Sequence, residues 1–300
     1  MTPESSITVN TPAKINLGLE ILGKREDGYH EIRTVMAAID LSDTLRITQR
    51  PSSDGIRVSG VPDVRTEDNI IARAADVYAE ATGIRFGLDI EVQKRIPSPG
   101  GLGGASANAA GTLLALDAMF ETELPATTLQ SLASRLGSDV PFFLVAPCAL
   151  ASGTGTDLQP LPPVDAAVVI VTPPIGIAAK TAALYGALRP GDFSDGAMAE
   201  TVAQSVMRGE MPTPDVLRNA FTRSLYELDP SLAEVAVTMK RAGAPSVALT
   251  GAGPGHYALL ESIEEARALA DEIRQAMHPD VRVDAARFLT GATTPIPRSR

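Results

Sequence analysis

A glycine-rich segment from Arg95 to Leu116, RIPSPGGLGGASANAAGTLLAL, carries the clearest sign of chemistry in this sequence. Two prolines end the preceding strand, and the glycines that follow let the main chain turn sharply and approach a ligand without Cβ atoms. Because the free N–H groups and the positive dipole end of a helix start attract anions, the segment predicts a phosphate-binding loop. It is neither a Walker loop nor G-x-G-x-x-G, since no Gly-Lys-Ser/Thr follows and Ser106 replaces the last glycine. The alternative is a tight turn before a closely packed helix.

Two charged residues far from this loop complete the set that phosphoryl transfer needs. Lys14 begins an alternating strand at residues 15–21, where the ordinary role of a lysine is a solvated edge position. Asp139 lies between a Gly-Ser turn and Val-Pro, where the ordinary role of an aspartate is helix capping. Phosphoryl transfer requires a phosphate cradle, a cation near the migrating group, and a residue that orients or deprotonates the attacking hydroxyl. The sequence offers one candidate for each.

Two further segments could bind parts of a ligand. A charged hairpin turn ends in Tyr29 and His30, which could pack over the turn or present a platform for a planar ring. A second glycine turn, GAGPG at residues 251–255, could be a simple hairpin bend. Together with the first glycine loop, it makes a phosphate-sized pocket between the two turns more plausible.

The composition is that of a globular chain. Of 300 residues, 44% are hydrophobic and 21% are charged. No apolar run is long enough to span a bilayer and the first residues lack a signal segment, so we expect a cytoplasmic protein without membrane association. A net charge of −10 without a dense Lys/Arg run argues against nucleic acid as a partner. The single cysteine, Cys148, is expected in the core, and the three histidines lie too far apart for a zinc motif.

Hydrophobic periodicity predicts an α+β fold. Strands are expected at residues 34–39, 44–47 and 88–92 in the first half, and at 166–171 and 246–250 in the second. Helices are expected after Asn69, after the glycine loop and at residues 263–277. Prolines at positions 160, 162 and 163 indicate a linker, so we expect two domains, residues 1–160 and 161–300. Residues 293–300 are expected to form a loose tail.

Three segments resemble the signature motifs of the superfamily of galactokinase, homoserine kinase, mevalonate kinase and phosphomevalonate kinase (GHMP kinases). They are PAKIN at residues 12–16, residues 97–110, and TGAGPG at residues 250–255. Other segments resemble the branch whose substrate is a cytidine diphosphate sugar alcohol: REDGYH at residues 25–30, EDN at 67–69 and LGSDVPF at 136–142. The likeness spans most of residues 7–290. It departs from the family pattern at Ala105 and Ala107, in the turn at residues 153–157 and at residue 254.

The resemblance implies a two-domain GHMP-kinase-like fold with the active site in the cleft between the domains. It also implies ATP-dependent transfer of the γ-phosphoryl group to the 2-hydroxyl of a methylerythritol unit, in non-mevalonate isoprenoid precursor biosynthesis. Lys14 and Asp139 match the catalytic pair, in which Asp139 accepts the hydroxyl proton while Lys14 holds that hydroxyl and favours the ionised carboxylate. Mg²⁺ is expected with the nucleotide, without a metal site built by the protein alone.

The resemblance assigns the binding residues as well. Asn69 and Lys94 match the adenine side of the ATP site, whereas Tyr29 and His30 match positions that bind cytosine. The loop around the triphosphate comprises Pro99, Gly100, Gly101, Leu102, Gly103, Gly104, Ala105, Ser106 and Asn108. Asn16, Gly251 and Gly253 are the remaining residues expected at the substrate. A monomer or a homodimer is expected.

Two alternatives stay open at this level. Another kinase of the same superfamily would share the glycine loop but would have no reason to keep DGYH at residues 27–30. A nucleotide-binding or interaction protein on the same scaffold would have no catalytic use for Asp139.

Overall fold

The computed structural model describes residues 5–50, 55–61, 65, 68–174, 180–291 and 296–297. Its strands are β1 (Ser6–Lys24), β2 (His30–Arg50), β3 (Ile56–Ser59), β4 (Gly87–Gln93), β5 (Cys148–Ser152), β6 (Asp157–Pro160), β7 (Ala167–Thr172), β8 (Ala248–Leu249), β9 (His256–Leu260), β10 (Arg282–Arg287) and β11 (Ile296–Pro297). Its α-helices are α1 (Ile70–Thr82), α2 (Gly104–Phe120), α3 (Ala126–Leu136), α4 (Phe142–Val145), α5 (Lys180–Gly186), α6 (Ala197–Met207), α7 (Thr222–Leu228), α8 (Ser231–Arg241) and α9 (Ile263–Ala276). This mixture confirms the predicted α+β class.

The described strands form two sheets. The first has the order β11-β1-β2-β4-β3, with β5 paired to β2 and β6 paired to β5, and is antiparallel except for the β3–β4 pair. The second has the order β10-β7-β9-β8 and is antiparallel throughout. The first sheet thus takes its strands from residues 6–160 and 296–297, and the second takes them from residues 167–287.

A long hairpin of β1 and β2 dominates the first sheet. The two predicted strands at residues 34–39 and 44–47 are one continuous strand, so the expected break between them is wrong. Residues 40 and 41, between the two predicted strands, form a bulge: Pro12 pairs with Ser42, whereas the next residue, Ala13, pairs with Ile39. The bulge divides β2 into two parts. Residues 44–50, after the bulge, pair with β4, and residues 34–37, before it, pair with β5.

The strand β1 is buried on both faces over most of its length. Its residues from Thr11 to Ile21 are all buried, rather than alternately buried and exposed. Two separate clusters explain this burial. One contains Val9 with apolar residues of α1, α2 and α3, and the other contains Ile15 and Leu17 with Ile170 of the second sheet. The strand that carries Lys14 therefore lies in the interior, where β2 and β11 flank it in the sheet.

Several smaller expectations can be checked. Cys148 is fully buried, as expected, and burial raises the pKa of its thiol to about 12. The expected loose tail is wrong at Ile296–Pro297, which pairs with β1 as β11, while residues 293–295 and 298–300 lie outside the described residues. Within the described part of the chain, no helix is long and apolar enough to cross a membrane.

Candidate active site

A cavity of about 830 Å³ opens beside the glycine loop. Its walls come from the start of α1, the loop itself, the start of α2, the start of α5 and the second glycine turn. They include every residue that the sequence assigned to the nucleotide: Asn69, Lys94, Pro99, Gly100, Gly101, Leu102, Gly103, Gly104, Ala105, Ser106 and Asn108. Thr181 and Ala182 of α5 line the cavity too.

The glycine loop leads directly into α2. Gly103 is the residue before the helix and has φ of +71°, which a side chain would strain. Gly103, the residue before the helix, has no side chain that could cap the N–H groups at this helix start. These groups therefore remain available to an anion in the cavity, and the seventeen-residue helix adds its positive dipole end there.

The Lys14 side chain extends from β1 to the glycine loop. Its side chain is only 3% exposed, and its Nζ donates to Asn16 Oδ1 at 2.5 Å and to the Gly101 carbonyl at 3.1 Å. The main-chain N–H of Lys14 also donates to the Leu102 carbonyl at 2.9 Å. Lys14 is therefore fixed against the glycine loop, and the solvated edge position is excluded for it.

Asp139 completes the pair that the sequence had separated. It lies in the turn between α3 and α4, whose neighbouring residues Val140 and Phe142 are fully buried and fix the turn. Its Oδ2 lies 3.5 Å from Lys14 Nζ, and its side chain is 37% exposed. The start of α4 receives no side-chain cap, so Asp139 does not serve that helix as a capping residue. A cation and a carboxylate thus face each other, with the carboxylate open to a ligand.

The second glycine turn touches the first glycine loop. Thr250 Oγ1 donates to the Gly101 carbonyl at 3.2 Å and accepts the Asn16 N–H at 3.1 Å. A Cβ on Gly101 would lie 2.2 Å from the Thr250 carbonyl oxygen, and one on Gly251 would lie 3.3 Å from Lys14 Nζ. The two turns pack so closely that only glycine fits at both positions. They bring the second sheet to the Lys14 side of the site.

Asn219 holds the second glycine turn, a role that the sequence did not reveal. Its buried side chain donates from Nδ2 to the carbonyls of Leu249 and Gly251, at 3.1 and 2.8 Å. Its Oδ1 accepts the N–H of Phe221 at 2.9 Å. The amide therefore satisfies three main-chain groups of the segments that form this wall of the site.

His30 and Tyr29, expected to bind a ring, lie in different surroundings. The His30 ring stacks on Tyr185 of α5, with ring centroids 4.6 Å apart and an interplanar angle of 24°. Burial, with a smaller contribution from the Lys24 charge, lowers the pKa of His30 and favours the neutral imidazole. Tyr29 is 67% exposed. Burial, and to a smaller degree the Asp139 charge, raise the pKa of Tyr185.

Three asparagines expected at ligands use their side chains within the protein. Asn69 caps α1 by accepting the Ile71 N–H at 3.0 Å, which confirms the predicted helix start. Asn16 accepts from Lys14 and donates to Thr34 Oγ1 at 3.1 Å. The amide of Asn108 bonds to other buried side chains at both of its ends. These residues shape the site, and the contacts that each makes leave less of its side chain free for a ligand.

His256, which follows the second glycine turn, provides a test of stability against pH. Its Nδ1 donates to the Pro254 carbonyl at 2.9 Å. Its Nε2 accepts from the Tyr226 hydroxyl, also at 2.9 Å. Burial lowers its pKa to about 4, from 6.5. Between pH 6.5 and 4, the unfolded chain binds a proton that the folded chain excludes. We therefore expect the free energy of unfolding to fall by up to about 1.4 kcal/mol per pH unit as the pH decreases through this window.

Urea unfolding at several pH values checks this prediction by comparing two variants. His256→Gln should flatten the dependence on pH between 6.5 and 4. His278→Gln is the matched control. It should leave the dependence on pH unchanged, because His278 is exposed. An unchanged slope in His256→Gln would contradict the prediction.

Comparison with known proteins shows which class of proteins has this fold and this glycine loop. Residues 69–146 match the family model described as the GHMP kinases N terminal domain. A solved homoserine kinase from Cytophaga hutchinsonii, 18% identical, has the same fold, with a TM-score of 0.70 over 99% of this chain and 98% of its own. The fold is that of GHMP kinases, and the glycine loop lies within the residues that the family model matches.

Closer relatives define the family within this class. A 4-diphosphocytidyl-2-C-methyl-D-erythritol kinase from Pelotomaculum thermopropionicum is 38% identical, over 90% of this chain and 94% of its own. The Thermus thermophilus enzyme of the same name is 40% identical, over 88% and 91%. A crystal structure of a 4-(cytidine 5'-diphospho)-2C-methyl-D-erythritol kinase, 36% identical, covers 94% of this chain and 98% of its own with a TM-score of 0.78. The chain belongs to the family of 4-diphosphocytidyl-2-C-methyl-D-erythritol kinases.

Proposed function

We propose that this protein transfers the γ-phosphoryl group of ATP to the 2-hydroxyl of 4-diphosphocytidyl-2-C-methyl-D-erythritol, in non-mevalonate isoprenoid precursor biosynthesis. The observation that carries the proposal is the Lys14–Asp139 pair, 3.5 Å apart beside the glycine loop. Family membership supports the choice of substrate, and the cavity lined by the glycine loop supports ATP as the phosphoryl donor.

In the proposed reaction, Asp139 acts as the general base. Its carboxylate takes the proton of the substrate hydroxyl as the hydroxyl oxygen bonds to the γ-phosphorus. The bond between that phosphorus and the bridging oxygen of ATP breaks, and ADP leaves with its electron pair. Lys14 holds the attacking oxygen and offsets the negative charge that gathers there. Its position is suited to this task, because Asn16 and the Gly101 carbonyl fix the ammonium group while Asp139 stays partly open.

The nucleotide is assigned to the 830 Å³ cavity. We place its triphosphate against the loop of residues 99–108, at the start of α2, where free N–H groups face the cavity. Asn69 and Lys94 line the adenine side in this proposal. Lys94, in a chain whose net charge is −10, presents an ammonium donor at this wall of the cavity.

The cytidine end of the substrate is assigned to Tyr29 and His30. The His30 ring is held in place by stacking on Tyr185, and its neutral imidazole can donate one hydrogen bond and accept another. Tyr29 presents an exposed aromatic face at the adjacent position. Asn16, Gly251 and Gly253 complete the proposed substrate side, near Lys14.

Magnesium belongs to the same proposal. The described residues contain no cluster of three or more His, Cys, Asp or Glu side chains that could hold a metal ion. The donors that remain, the Asp139 carboxylate and the Ser106 hydroxyl, fit an ion that keeps several waters and arrives on nucleotide phosphates. When bound, the ion would neutralise charge on the transferring phosphoryl group.

Three wider assignments rest on the same argument. We propose domains at residues 1–160 and 161–300, because the strands of the two sheets, apart from β11, divide close to that boundary. A cytoplasmic location is proposed, since ATP is the phosphoryl donor. A monomer or a homodimer remains the expected assembly.

The substrate assignment predicts a sharp preference between alcohols. With ATP and Mg²⁺, the cytidine diphosphate sugar alcohol should be phosphorylated with a kcat/KM at least about 10³-fold above that of methylerythritol phosphate, which lacks the cytidine. A site built to hydrogen-bond a group rejects analogues without it by such factors or more. Homoserine and mevalonate serve as controls for other kinases of the superfamily. Comparable turnover of any cytidine-free alcohol would contradict the substrate assignment.

A further inference from the structure

Asp43 is a fully buried carboxylate that the reaction itself does not use. It follows the bulge of β2 and accepts four hydrogen bonds. Its Oδ1 accepts the main-chain N–H groups of Arg95 and Ile96, at 2.7 and 2.8 Å. Its Oδ2 accepts from Lys94 Nζ at 2.5 Å and from Asn108 Nδ2 at 3.0 Å. One carboxylate thus satisfies two main-chain and two side-chain donors.

These donors lie on both sides of the glycine loop. Residues 94–96 lead into the loop, and Asn108 lies in α2, just after it. Lys94, Ile96 and Asn108 all line the nucleotide cavity, whereas Asp43 does not belong to its described walls. Asp43 therefore acts on the cavity only indirectly, through the residues that line it and donate hydrogen bonds to its carboxylate.

Thr11 fixes the orientation of this network. Its hydroxyl donates to Asn108 Oδ1 at 2.6 Å, which leaves the Asn108 amide group directed at Asp43. Thr11 is itself immobilised against α2, because a Cβ on Gly111 would lie 2.3 Å from the Thr11 methyl carbon. The orientation of the Asn108 amide is therefore fixed by the packing of Thr11 as well as by hydrogen bonds.

A buried charge is costly, and an apolar residue of similar size often stabilises a core as well or better. Stability alone gives no reason for a carboxylate at this position. The Lys94 ammonium does give one, because its side chain is 25% exposed at the cavity wall and the buried Asp43 carboxylate behind it holds that cation by a charge-assisted hydrogen bond.

We propose that Asp43 is a positioning residue of the nucleotide site, which holds the Lys94 ammonium at the cavity wall and ties together both ends of the glycine loop. The proposal rests on the nucleotide binding proposed above. Asp43 does not contact the nucleotide, and its effect on ATP passes through Lys94 and Asn108.

The substitution Asp43→Asn tests this assignment with the least change of shape. The amide oxygen can keep the bonds to the N–H groups of residues 95 and 96, while the new NH₂ group faces the donors of Lys94 and Asn108. We expect the Kd for Mg-ATP, measured by calorimetry on the full chain, to rise roughly 10–100-fold, the worth of one hydrogen bond to a charged group. KM for the alcohol substrate and kcat at saturating ATP should change less than about threefold. Asp117→Asn is the matched control, because that carboxylate accepts local bonds at the far end of α2.

A double variant separates positioning from general destabilisation. Lys94→Met should raise the Kd for Mg-ATP, and Asp43→Asn added to it should raise the Kd by less than Asp43→Asn alone does, because the cation that Asp43 holds is already gone and only the contribution through Asn108 remains. The double variant removes both charges and is expected to fold even where Asp43→Asn does not. Multiplicative losses, a wild-type Kd in Lys94→Met, or a wild-type Kd in Asp43→Asn would each overturn the proposal. If the unmodified protein itself binds no ATP, the proposed function fails, a result distinct from these.

Discussion

Replacing Asp139 by asparagine lowers kcat by about 10²–10⁴-fold, the usual contribution of general acid–base catalysis, and leaves the affinity for ATP within a few-fold. The expectation follows from the position of the carboxylate. Asp139 is partly open to the cleft and lies 3.5 Å from the buried Lys14 ammonium, and it is not among the described residues that line the nucleotide cavity. The asparagine side chain keeps the size of the group but can no longer accept a proton.

Steady-state release of ADP at saturating substrates measures kcat, and calorimetry measures ATP binding in the same preparation. Asp76→Asn provides the control, since Asp76 is an exposed residue of α1 away from the Asp139 turn. The thermal midpoint of Asp139→Asn should stay close to that of the parent, because a partly exposed ion pair contributes little to folding. Undiminished turnover in this variant would exclude Asp139 as the base and with it the proposed mechanism.

Much of this site could be predicted because its residues belong to short, characteristic segments. The glycine loop by itself predicts an anion site, whereas the Lys14 strand and the Asp139 turn gain their meaning from the order and spacing of the motifs along the chain. Their convergence could not be deduced from periodicity alone, since more than a hundred residues separate Lys14 from Asp139. The family resemblance supplied that step, and the ion pair between them agrees with it.

What the sequence did not reveal has a common physical origin in long-range contacts. The sequence predicted two separate strands at residues 34–39 and 44–47, but they are one strand with a bulge that brings the Asp43 carboxylate to donors about fifty residues away. The stacking of Tyr185 on His30 is also a contact between residues far apart in the chain. Asn219 likewise gives no local signal, because its partners are main-chain carbonyls thirty residues further along the chain. Hydrophobic patterns report burial but not the identity of the partner.

The same reasoning explains why the interior position of Lys14 could not be deduced. Alternation of apolar residues in a strand predicts one solvated face, and a lysine on that face would be exposed. In the structure, every residue of β1 from Thr11 to Ile21 is buried, so neither face of this part of the strand is solvated. Lys14 lies within this run, where oxygens of Asn16, Gly101 and Asp139 surround its ammonium group instead of water.

Lys14→Met should reduce kcat by roughly 10²–10³-fold, the range observed when one fixed donor to a transition-state charge is removed. Methionine fills most of the lysine volume, so the packing of the side chain beside Gly103 remains while the ammonium group is lost. Lys240→Met, at an exposed position of α8, is the matched control for the same chemical change. It should leave kcat within a factor of two.

The double variant Lys14→Met/Asp139→Asn shows whether the two residues act on one oxygen. Groups that serve the same step lose their effects together, so the double variant should have about the kcat of the slower single variant. Two independent roles would instead multiply the losses. Lys14→Arg adds a further check: it keeps the charge, but the larger guanidinium cannot occupy the space between Asn16, Gly101 and Asp139, so activity should stay well below that of the parent. A Lys14→Met variant within a few-fold of the parent kcat would show that the cation is not required at the attacking oxygen.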